Sequence, residues 1–369
     1  MQKHKRIIIS GGGTGGHIFP AISIANALRK IDPGTEILFV GAEGRMEMEK
    51  VPAAGYKITG LPVAGFNRSL SPKNIIVLFK LVRSLNLAGR IIKDFKPDVV
   101  VGVGGYASGP VLRQAGKYGI PTLIQEQNSY AGVTNKLLAS KAWVICVAYD
   151  GMEKYFPAKK IIKTGNPVRQ AFDNLGKIRD EALDFFQLEK SSPVILILGG
   201  SLGAGTINRS LSENISSMTG SGYQWLWQTG KLYYENVKAL ADISAGKNIS
   251  VLDFINRMDY AFAAADIIVS RAGAGTISEL CLVGKPVILV PSPNVAEDHQ
   301  TRNALALVNR NAAVMIRDNE AINMLVDEAI KLIADKERRE LLSAGIKAMA
   351  ERDADVRIAE EILKLAGND

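Results

Sequence analysis

The sequence predicts an α/β protein built from two Rossmann-like domains in tandem. Short apolar, β-branched runs alternate with helical patterns along the whole chain, which indicates parallel sheets covered by helices on both faces. An apolar run that ends in glycines occurs twice, at I7-I-I-S-G-G-G-T-G-G-H17 and I195-L-I-L-G-G-S-L-G-A-G205. A chain of 369 residues also exceeds the size at which a single core stops growing. We therefore expect each domain to open with its own strand, glycine turn and helix.

The predicted strands fall into two series separated by turn residues. A short strand at 161–164 is followed by G165-N-P-V-R169, so we place the domains at residues 1–164 and 165–369. The ligand is expected in a deep cleft between the domains, beyond the carboxyl ends of the strands. The charged helical pattern at 336–365 is expected to pack near that cleft, back toward the first domain. The other strands are predicted at 6–10, 36–40, 98–101, 122–125 and 143–147, and then at 194–198, 225–228, 266–269 and 287–290.

Composition excludes several classes of protein. Hydrophobic residues make up 47% and charged residues 22% of the chain, which is typical of a folded globular protein rather than a disordered one. Cys146 and Cys281 lie in apolar runs and match no disulfide or metal-ligand spacing, so we expect core residues in a reducing compartment. The apolar run after the basic N-terminus is too short for a signal peptide, and none reaches the ~18 residues of a membrane span. We expect a cytoplasmic protein that does not cross a bilayer.

The first glycine turn resembles a dinucleotide motif but lacks the acidic residue that such a motif needs. Residues 11–16 have the G-x-G-x-x-G spacing, whereas the second strand is followed by Gly41 and only then by Glu43. This argues against a dehydrogenase. The turn still suits an anion, because a helix predicted to begin near Ile18 directs free N–H groups and a positive dipole end toward it.

Three further glycine turns make a ligand-binding role the better interpretation. They lie at 102–105, 199–205 and 271–276, and each follows a predicted strand. In the last of them a helix is predicted to begin around Thr276, with Glu279 in its first turn. The amides of that turn suit a diphosphate. Glu279 is placed to accept hydrogen bonds from two ribose hydroxyls, or it compensates the helix dipole.

Seven motifs, taken in chain order, resemble those of the MurG family. That family consists of peripheral membrane enzymes that transfer N-acetylglucosamine from UDP-N-acetylglucosamine to lipid I, which gives lipid II for peptidoglycan. The resemblance implies the glycosyltransferase-B fold, with an N-terminal acceptor and membrane-docking domain and a C-terminal UDP-sugar-binding domain. The motifs are G12-G-T-G-G-H17, G104-G-Y106, E126-Q-N128, G165-N-P-V-R169, G199-G-S-L-G-A204, R271-A-G-A-G-T-I-S-E279 and D298-H-Q300.

The resemblance also implies roles for single residues. Ser201 and the turn 273–276 would contact the diphosphate, Glu279 would bind the ribose, and Gln300 would bind the sugar hydroxyls. Ile255 would present its backbone to uracil, and Arg169 would add positive charge. Gly275 lies where some members of the family carry a larger apolar residue. The implied donor site consists of Thr14, Gly15, Gly16, Asn128, Arg169, Ser201, Ile255, Ala274, Gly275, Thr276, Glu279 and Gln300.

The implied reaction is an inverting displacement that needs a general base and stabilisation of the leaving diphosphate. His17 is the first candidate for the base, because imidazole has an unperturbed pKa of ~6.5 and a helix N-terminus opposes its protonation. Glu126 is the alternative, and it either faces the acceptor or holds its own loop by hydrogen bonds. Helix N-termini can stabilise the diphosphate, so we expect no cofactor and no metal ligands, and the pair D353-A-D355 fits a solvated helix. Whether a divalent ion assists stays open.

The segment 74–93 is the candidate membrane-docking helix. An apolar lip beside basic residues is typical of an interfacial helix, although a core helix with solvated charges has the same pattern. The net charge of +8 and the pI of about 9.3 favour an anionic membrane surface, whereas the basic residues are too dispersed for nucleic acid. We expect a peripheral protein on the cytoplasmic face of the cell membrane. One helical face carries Leu78, Leu81, Leu85, Ala88 and Ile92, and the other carries the docking residues Ile76, Phe79, Arg83 and Arg90.

Three other functions remain in view. The first is a related UDP-sugar transferase that acts on another membrane lipid, such as diacylglycerol. The second is the dehydrogenase disfavoured by Gly41. The third is a non-catalytic protein that binds a nucleotide sugar, which would not need the polar residues that both domains carry.

Overall fold

A parallel sheet forms the centre of each half of the chain. The computed structural model describes residues 4–63, 73–168, 172, 175–200, 203–244 and 248–367, without the side chains of 73–76 and 296. The chain divides into two units, one formed by Met1–Val168 with Glu351–Asp369 and the other by Arg169–Ala350. The division lies at 168/169 rather than at 164/165, and the last stretch of chain belongs to the first unit.

Strands and helices alternate in both units. The strands are β1 (Arg6–Ser10), β2 (Glu36–Ala42), β3 (Lys57–Leu61), β4 (Val99–Gly102), β5 (Thr122–Glu126), β6 (Val144–Val147), β7 (Ile161–Lys163), β8 (Val194–Leu198), β9 (Gln224–Gln228), β10 (Ile249–Leu252), β11 (Ile267–Ser270), β12 (Val287–Leu289) and β13 (Val314–Met315). The helices are α1 (Gly15–Ile31), α2 (Glu47–Ala53), α3 (Lys73–Phe95), α4 (Ser108–Lys117), α5 (Val133–Leu138), α6 (Arg179–Phe185), α7 (Gly205–Glu213), α8 (Ile215–Gly220), α9 (Tyr234–Ile243), α10 (Met258–Ala264), α11 (Ala274–Val283), α12 (His299–Val308), α13 (Ala321–Ala334), α14 (Lys336–Lys347) and α15 (Ala354–Ala366). Single 3-10 turns lie at Met152–Lys154, Ala158–Lys160, Leu175–Ile178 and Ala296–Asp298.

Both sheets reverse their strand order at the first strand of their unit. Within the described residues, the first sheet has seven strands in the order β3-β2-β1-β4-β5-β6-β7, and the second has six in the order β10-β9-β8-β11-β12-β13. The registered strand pairs are parallel, for example Ile9 with Phe39 and Val101. A ligand site is expected where the order reverses, at the carboxyl ends of β1 and β4 and of β8 and β11. All four predicted glycine turns follow these strands.

Both faces of the first sheet are covered, as the continuous apolar strands predicted. Ile7 and Ile9 are fully buried with residues of α1 and α15, and Ile8 is fully buried with residues of α3 and α4. The helical pattern at 336–365 is two helices, and the second of them, α15, packs on α1. The predicted helix is interrupted just before α15, where Asp353 has a left-handed φ of 53°.

The strands that the sequence predicted are present, with ends that differ by at most two residues. Three further strands, β3, β10 and β13, lie at sheet edges and were not predicted. Edge strands are buried less completely, so they lack the continuous apolar run that marks a central strand. Cys146 and Cys281 are buried and free, and burial raises the pKa of each thiol to about 12. This fits the prediction that both are core residues.

Candidate active site

The glycine turn after β1 leads directly into α1. Thr14 is extended and caps the helix, which begins at Gly15, three residues before the predicted start at Ile18. The prediction was late because glycine can adopt helical dihedral angles, and the first amides of a helix need no partner within it. The amides of Gly15 and Gly16 therefore have no carbonyl within the helix to donate to, and they suit an oxygen of a ligand.

His17 lies in the first turn of α1, with its ring against the glycine turn that follows β4. Its Nδ1 is 3.1 Å from the hydroxyl oxygen of Thr14. A Cβ on Gly104, which has a φ of +95°, would lie 2.9 Å from both Cδ2 and Nε2 of His17. The imidazole therefore requires glycine at this position, as does the left-handed backbone.

The glycines of these turns serve two different purposes. A Cβ on Gly105 would lie 2.3 Å from the carbonyl oxygen of Gly12, so this glycine permits one turn to pack against the other. A Cβ on Gly13, Gly200 or Gly275 would meet no atom within 4 Å. The second group lies beside open space, where a ligand can approach the backbone.

Glu126 is buried at the end of β5, where its carboxylate holds the following loop. Its Oε1 accepts hydrogen bonds from the backbone N–H of Asn128 at 3.1 Å and from the side-chain amide of Asn128 at 3.3 Å. Its Oε2 accepts from the backbone N–H of Gly132 at 3.0 Å and from Asn135 Nδ2 at 2.8 Å. Because donors occupy both oxygens, the geometry favours the loop-holding role that the sequence left open beside the catalytic one.

A buried chain of amide side chains, which the sequence did not reveal, ties this loop to its neighbours. Gln125 Nε2 donates to Asn166 Oδ1 at 3.0 Å, and Asn166 Nδ2 donates to the Gln127 carbonyl at 2.9 Å. Gln127 Nε2 in turn donates to the Val103 carbonyl at 2.8 Å. The motifs around residues 104, 126 and 165 therefore form one connected structure in the first unit.

In the second unit, α11 begins at Ala274 after an extended Gly273, two residues before the predicted start. The expectation that Glu279 lies in the first turn is therefore wrong, and Glu279 lies in the second turn. Compensation of the helix dipole, which is confined to the first turn, no longer explains it. Residues three and four apart share a helix face, so Glu279 shares the face of Thr276 and Gly275.

Gln300 joins two of the loops that follow the strands of the second sheet. Its Oε1 accepts a hydrogen bond from the backbone N–H of Ala272 at 3.2 Å and another from that of Ser292 at 2.9 Å. Since the oxygen of the carboxamide is used inside the protein, the Nε2 group is the part of the side chain that can donate to a ligand.

A half-buried ion pair connects the glycine turns of the second unit. Arg271 donates to the carbonyls of Val290 and Pro291 at 3.0 and 3.3 Å and pairs with the carboxylate of Asp318. Asp318 Oδ2 accepts a hydrogen bond of 2.8 Å from Thr206 in the first turn of α7. The amino ends of α7 and α11 are thus held by one network, which sequence reasoning missed because its members lie on four separate segments.

Of the remaining implied donor residues, the structure shows the burial of Ile255 and Asn128, and it does not describe Ser201 or Arg169. The side chain of Ile255 is 3% exposed, so its backbone is the part that can meet a ligand. Asn128 is half-buried at the loop held by Glu126. Ser201 and Arg169 lie outside the described residues.

Helix α3 turns one face to the core of the first unit and leaves the other exposed. Ala88 and Ile92 are buried, whereas Arg83 and Arg90 are exposed and Phe79 is 74% exposed. Leu78 was expected on the buried face, but it is 56% exposed, because the inward face is centred nearer Val77 and Leu81 in this first part of the helix. The side chain of Ile76 lies outside the described part of the chain.

Comparisons with known proteins agree with this architecture. The glycosyltransferase family 28 N-terminal domain matches residues 7–146, and the C-terminal domain of that family matches residues 194–358. Relatives from Phocaeicola vulgatus and Parabacteroides distasonis are 61% and 59% identical over 99% of this chain, which covers 98% and 99% of theirs. Each is named UDP-N-acetylglucosamine--N-acetylmuramyl-(pentapeptide) pyrophosphoryl-undecaprenol N-acetylglucosamine transferase.

A solved structure points to the same family. The crystal structure of MurG from Acinetobacter baumannii is 29% identical, with a TM-score of 0.81 over 98% of this chain and 99% of that one. This chain belongs to the MurG family of glycosyltransferases. The fold is glycosyltransferase-B, and the predicted pair of Rossmann-like domains is confirmed. Among the described residues, no helix of this MurG-family chain is long and apolar enough to cross a membrane, and no group of three or more His, Cys, Asp or Glu could hold a metal ion.

Adding a methyl group to this MurG-family chain is expected to be costly at a glycine in contact with another residue and nearly harmless at a glycine beside open space. Gly104→Ala places a Cβ against the His17 ring at a left-handed φ, so we expect a loss of about 1–3 kcal/mol in the free energy of unfolding and a fall in kcat. Gly275→Ala meets no atom, so we expect the free energy of unfolding to change by less than about 1 kcal/mol. Urea unfolding of both variants measures the difference, and equal destabilisation would contradict it.

Proposed function

We propose that this chain transfers N-acetylglucosamine from UDP-N-acetylglucosamine to the C4 hydroxyl of the N-acetylmuramoyl unit of lipid I. The products are lipid II and UDP, and the configuration at the anomeric carbon is inverted. Two relatives that match nearly the whole chain at 61% and 59% identity carry the name of this transferase. The observation that carries the assignment of roles is that each unit has its own helix N-terminus beside an open glycine, Gly13 in one and Gly275 in the other.

The second unit binds the donor in this proposal. The amides of Ala274, Gly275 and Thr276 lie at the first three positions of α11, where they have no partner within the helix and suit the diphosphate. Glu279 is one turn further along the same face, and helical side chains lean toward the N-terminus, so its carboxylate approaches a ribose attached to that diphosphate. Gly275 leaves space beside the carboxylate.

The remaining contacts to the donor are assigned from the atoms that the protein does not already use in its own hydrogen bonds or core. Gln300 has its oxygen fixed by two backbone amides, so its Nε2 group donates to a hydroxyl of the sugar. The backbone near Ile255 contacts uracil, since its side chain is buried. Ser201 and Arg169 keep the roles that the resemblance implies, at the diphosphate and as a source of positive charge.

The first unit supplies the base and the acceptor contacts. A general base must reach the C4 hydroxyl with a lone pair. In the tautomer whose Nδ1 donates to Thr14 Oγ1, Nε2 is unprotonated, which is the form that a general base needs. Thr14, Gly15 and Gly16 lie at the start of the same helix, Asn128 lies on the loop held by Glu126, and in this proposal all four bind the reacting sugars. The developing charge on the leaving UDP is stabilised by the amides of α11, and the proposal requires no cofactor.

The proposed base is tested by removing each candidate side chain. We expect His17→Ala to lower kcat by about 10²–10⁴-fold with little change in the KM for UDP-N-acetylglucosamine, because proton transfer occurs only in the transition state. Release of UDP with a soluble lipid I analogue is the measurement. Glu126→Gln is the comparison, since it keeps the volume of the side chain and one oxygen that can accept the two hydrogen bonds from Asn128. A larger loss in Glu126→Gln than in His17→Ala would assign the base to Glu126, and turnover with diacylglycerol in place of the analogue would contradict the acceptor.

The proposed ribose contact predicts a different kinetic signature. Glu279→Ala removes two hydrogen bonds to a bound hydroxyl pair, each worth about 1.5–3 kcal/mol for a charged partner, so we expect the donor KM to rise by at least tenfold. The KM for the lipid I analogue is expected to stay within about twofold. Glu328→Ala, on a helix of the same unit, is the matched control. A loss of kcat without a change in the donor KM would contradict the assignment.

The exposed face of α3 is the proposed docking surface for an anionic membrane. Phe79 and Leu78 offer apolar area, Val82 extends it, and Arg83 and Arg90 carry positive charge on the same exposed side. Ile76 is included on the sequence pattern alone, because its side chain lies outside the described residues. An apolar face beside basic residues binds reversibly in the headgroup region, and each basic residue adds about 1 kcal/mol near anionic lipid.

This surface predicts a salt-sensitive, lipid-dependent association. We expect Phe79→Ser to weaken cosedimentation with phosphatidylglycerol vesicles by about tenfold, because it removes an exposed aromatic side chain that would become buried in the bilayer, and to leave turnover of a soluble acceptor unchanged. Phe185→Ser, at a similarly exposed aromatic residue of the second unit, is the control. Equal binding by both variants would contradict the assignment.

A further inference from the structure

One buried carboxylate of the first unit has no part in the roles described so far. Glu47, the first residue of α2, is 1% exposed. Its two oxygens accept from the backbone N–H of Gly13 at 3.1 and 3.0 Å, and its Oε1 also accepts from the backbone N–H of Ala42 at 2.9 Å. A buried carboxylate is stable only with such donors, so the two loops after β1 and β2 are bonded to one side chain.

The contacts of Glu47 also explain two glycines. A Cβ on Gly12 would lie 2.0 Å from Glu47 Oε1, and a Cβ on Gly41 would lie 2.6 Å from Glu47 Cγ. Both positions must therefore lack a side chain for the carboxylate to enter. Gly41, the glycine that argued against a dinucleotide motif, is therefore a consequence of this internal contact. Gly12 is required by the same contact, although it lies at a variable position of the dinucleotide spacing.

The position of the carboxylate is the one that a bound anion would take. In folds of this type, the glycine turn after the first strand uses its backbone amides to bind phosphate. Here the Gly13 amide in that turn already donates to a carboxylate of the chain itself. The charge and the acceptor oxygens of Glu47 replace those of a phosphate oxygen pair.

The same contact fixes the residues that follow. Gly13 precedes Thr14, whose hydroxyl oxygen is 3.1 Å from Nδ1 of His17. On its other side the turn packs against Gly105, where a Cβ would lie 2.3 Å from the Gly12 carbonyl oxygen. The turn is therefore held between Glu47 and the turn after β4, which leaves Thr14 and His17 a single position.

We propose that Glu47 is an internal anion that occupies the anion site of the first glycine turn, excludes substrate phosphates from it, and positions Thr14 and His17 for transfer. Glu47 is a positioning residue, since it does not touch the reacting atoms. The positioning of His17 rests on the proposed function, whereas the occupation of the anion site does not.

Variants of Glu47 test both halves of the proposal. Glu47→Ala leaves the Gly13 and Ala42 amides without their acceptor, so we expect kcat with the lipid I analogue to fall by at least about tenfold while the KM for UDP-N-acetylglucosamine stays within about twofold. Added formate, which can enter the vacated site, is expected to restore part of kcat. Glu47→Gln, which keeps the volume and one acceptor oxygen, is expected to lose less kcat and to gain nothing from formate. Glu49→Ala, an exposed glutamate on the same helix, is the control for α2.

Anion binding provides a readout that does not depend on turnover. Inorganic phosphate is expected to raise the Tm of Glu47→Ala relative to its own value without phosphate, and to leave the wild type and Glu49→Ala unchanged, because only the first has a vacant site. If Glu47→Ala unfolds, the kcat loss and unchanged donor KM of Glu47→Gln carry the test.

Each outcome decides a separate statement. A Glu47→Ala protein with normal kcat and no response to phosphate overturns the proposal. So does one that loses stability and kcat together and responds to neither formate nor phosphate, since the role of Glu47 is then only to support the fold. If the wild type does not turn over lipid I, the proposed function fails, and the phosphate response still decides whether Glu47 occupies an anion site.

Discussion

The order of the strands is the constraint on which the candidate site depends. In each sheet, the chain places its first strand in the middle and builds outward in both directions, so the loops after β1 and β4, and after β8 and β11, are neighbours. Because all the registered pairs are parallel, these loops emerge at the same edge of their sheet. Four glycine turns from distant parts of the sequence therefore become two pairs, and each pair lies beside a helix N-terminus.

Close packing within these pairs explains why glycine is so frequent in the motifs. Gly105 is required by the Gly12 carbonyl and Gly104 by the His17 ring, so neither is explained by a ligand. Only some glycines, such as Gly13 and Gly275, border open space. A motif of this family thus combines residues that build the turn with residues that leave the backbone accessible, and the two kinds look alike in the sequence.

Buried carboxylates hold loops of the first unit in place, whereas the carboxylate proposed to bind a ligand in the second unit is more accessible. Glu47 and Glu126 are each 1% exposed, and each accepts hydrogen bonds from the backbone of a loop at the edge of the sheet. Such internal anions reduce the freedom of the loops that carry the proposed base and the proposed acceptor contacts, and a fixed geometry favours reaction. Glu279 is half-buried in the second turn of α11, and it is the carboxylate proposed to bind a hydroxyl pair.

The sequence by itself determined the fold class and the central strands, because a strand buried on both faces needs a continuous apolar run that no other element needs at that length. It also placed the four glycine turns and the family motifs. Tertiary structure decided the edge strands β3, β10 and β13, the starts of α1 and α11, and the contacts of Glu47 and Glu126. Glu43 is the acidic residue nearest to the end of β2 in the sequence, yet it is exposed. The glutamate that accepts a hydrogen bond from the glycine turn is Glu47, which lies 34 residues after Gly13 in the chain. No local pattern distinguishes these two glutamates, since what separates them is a contact between segments that meet only when the sheet has formed.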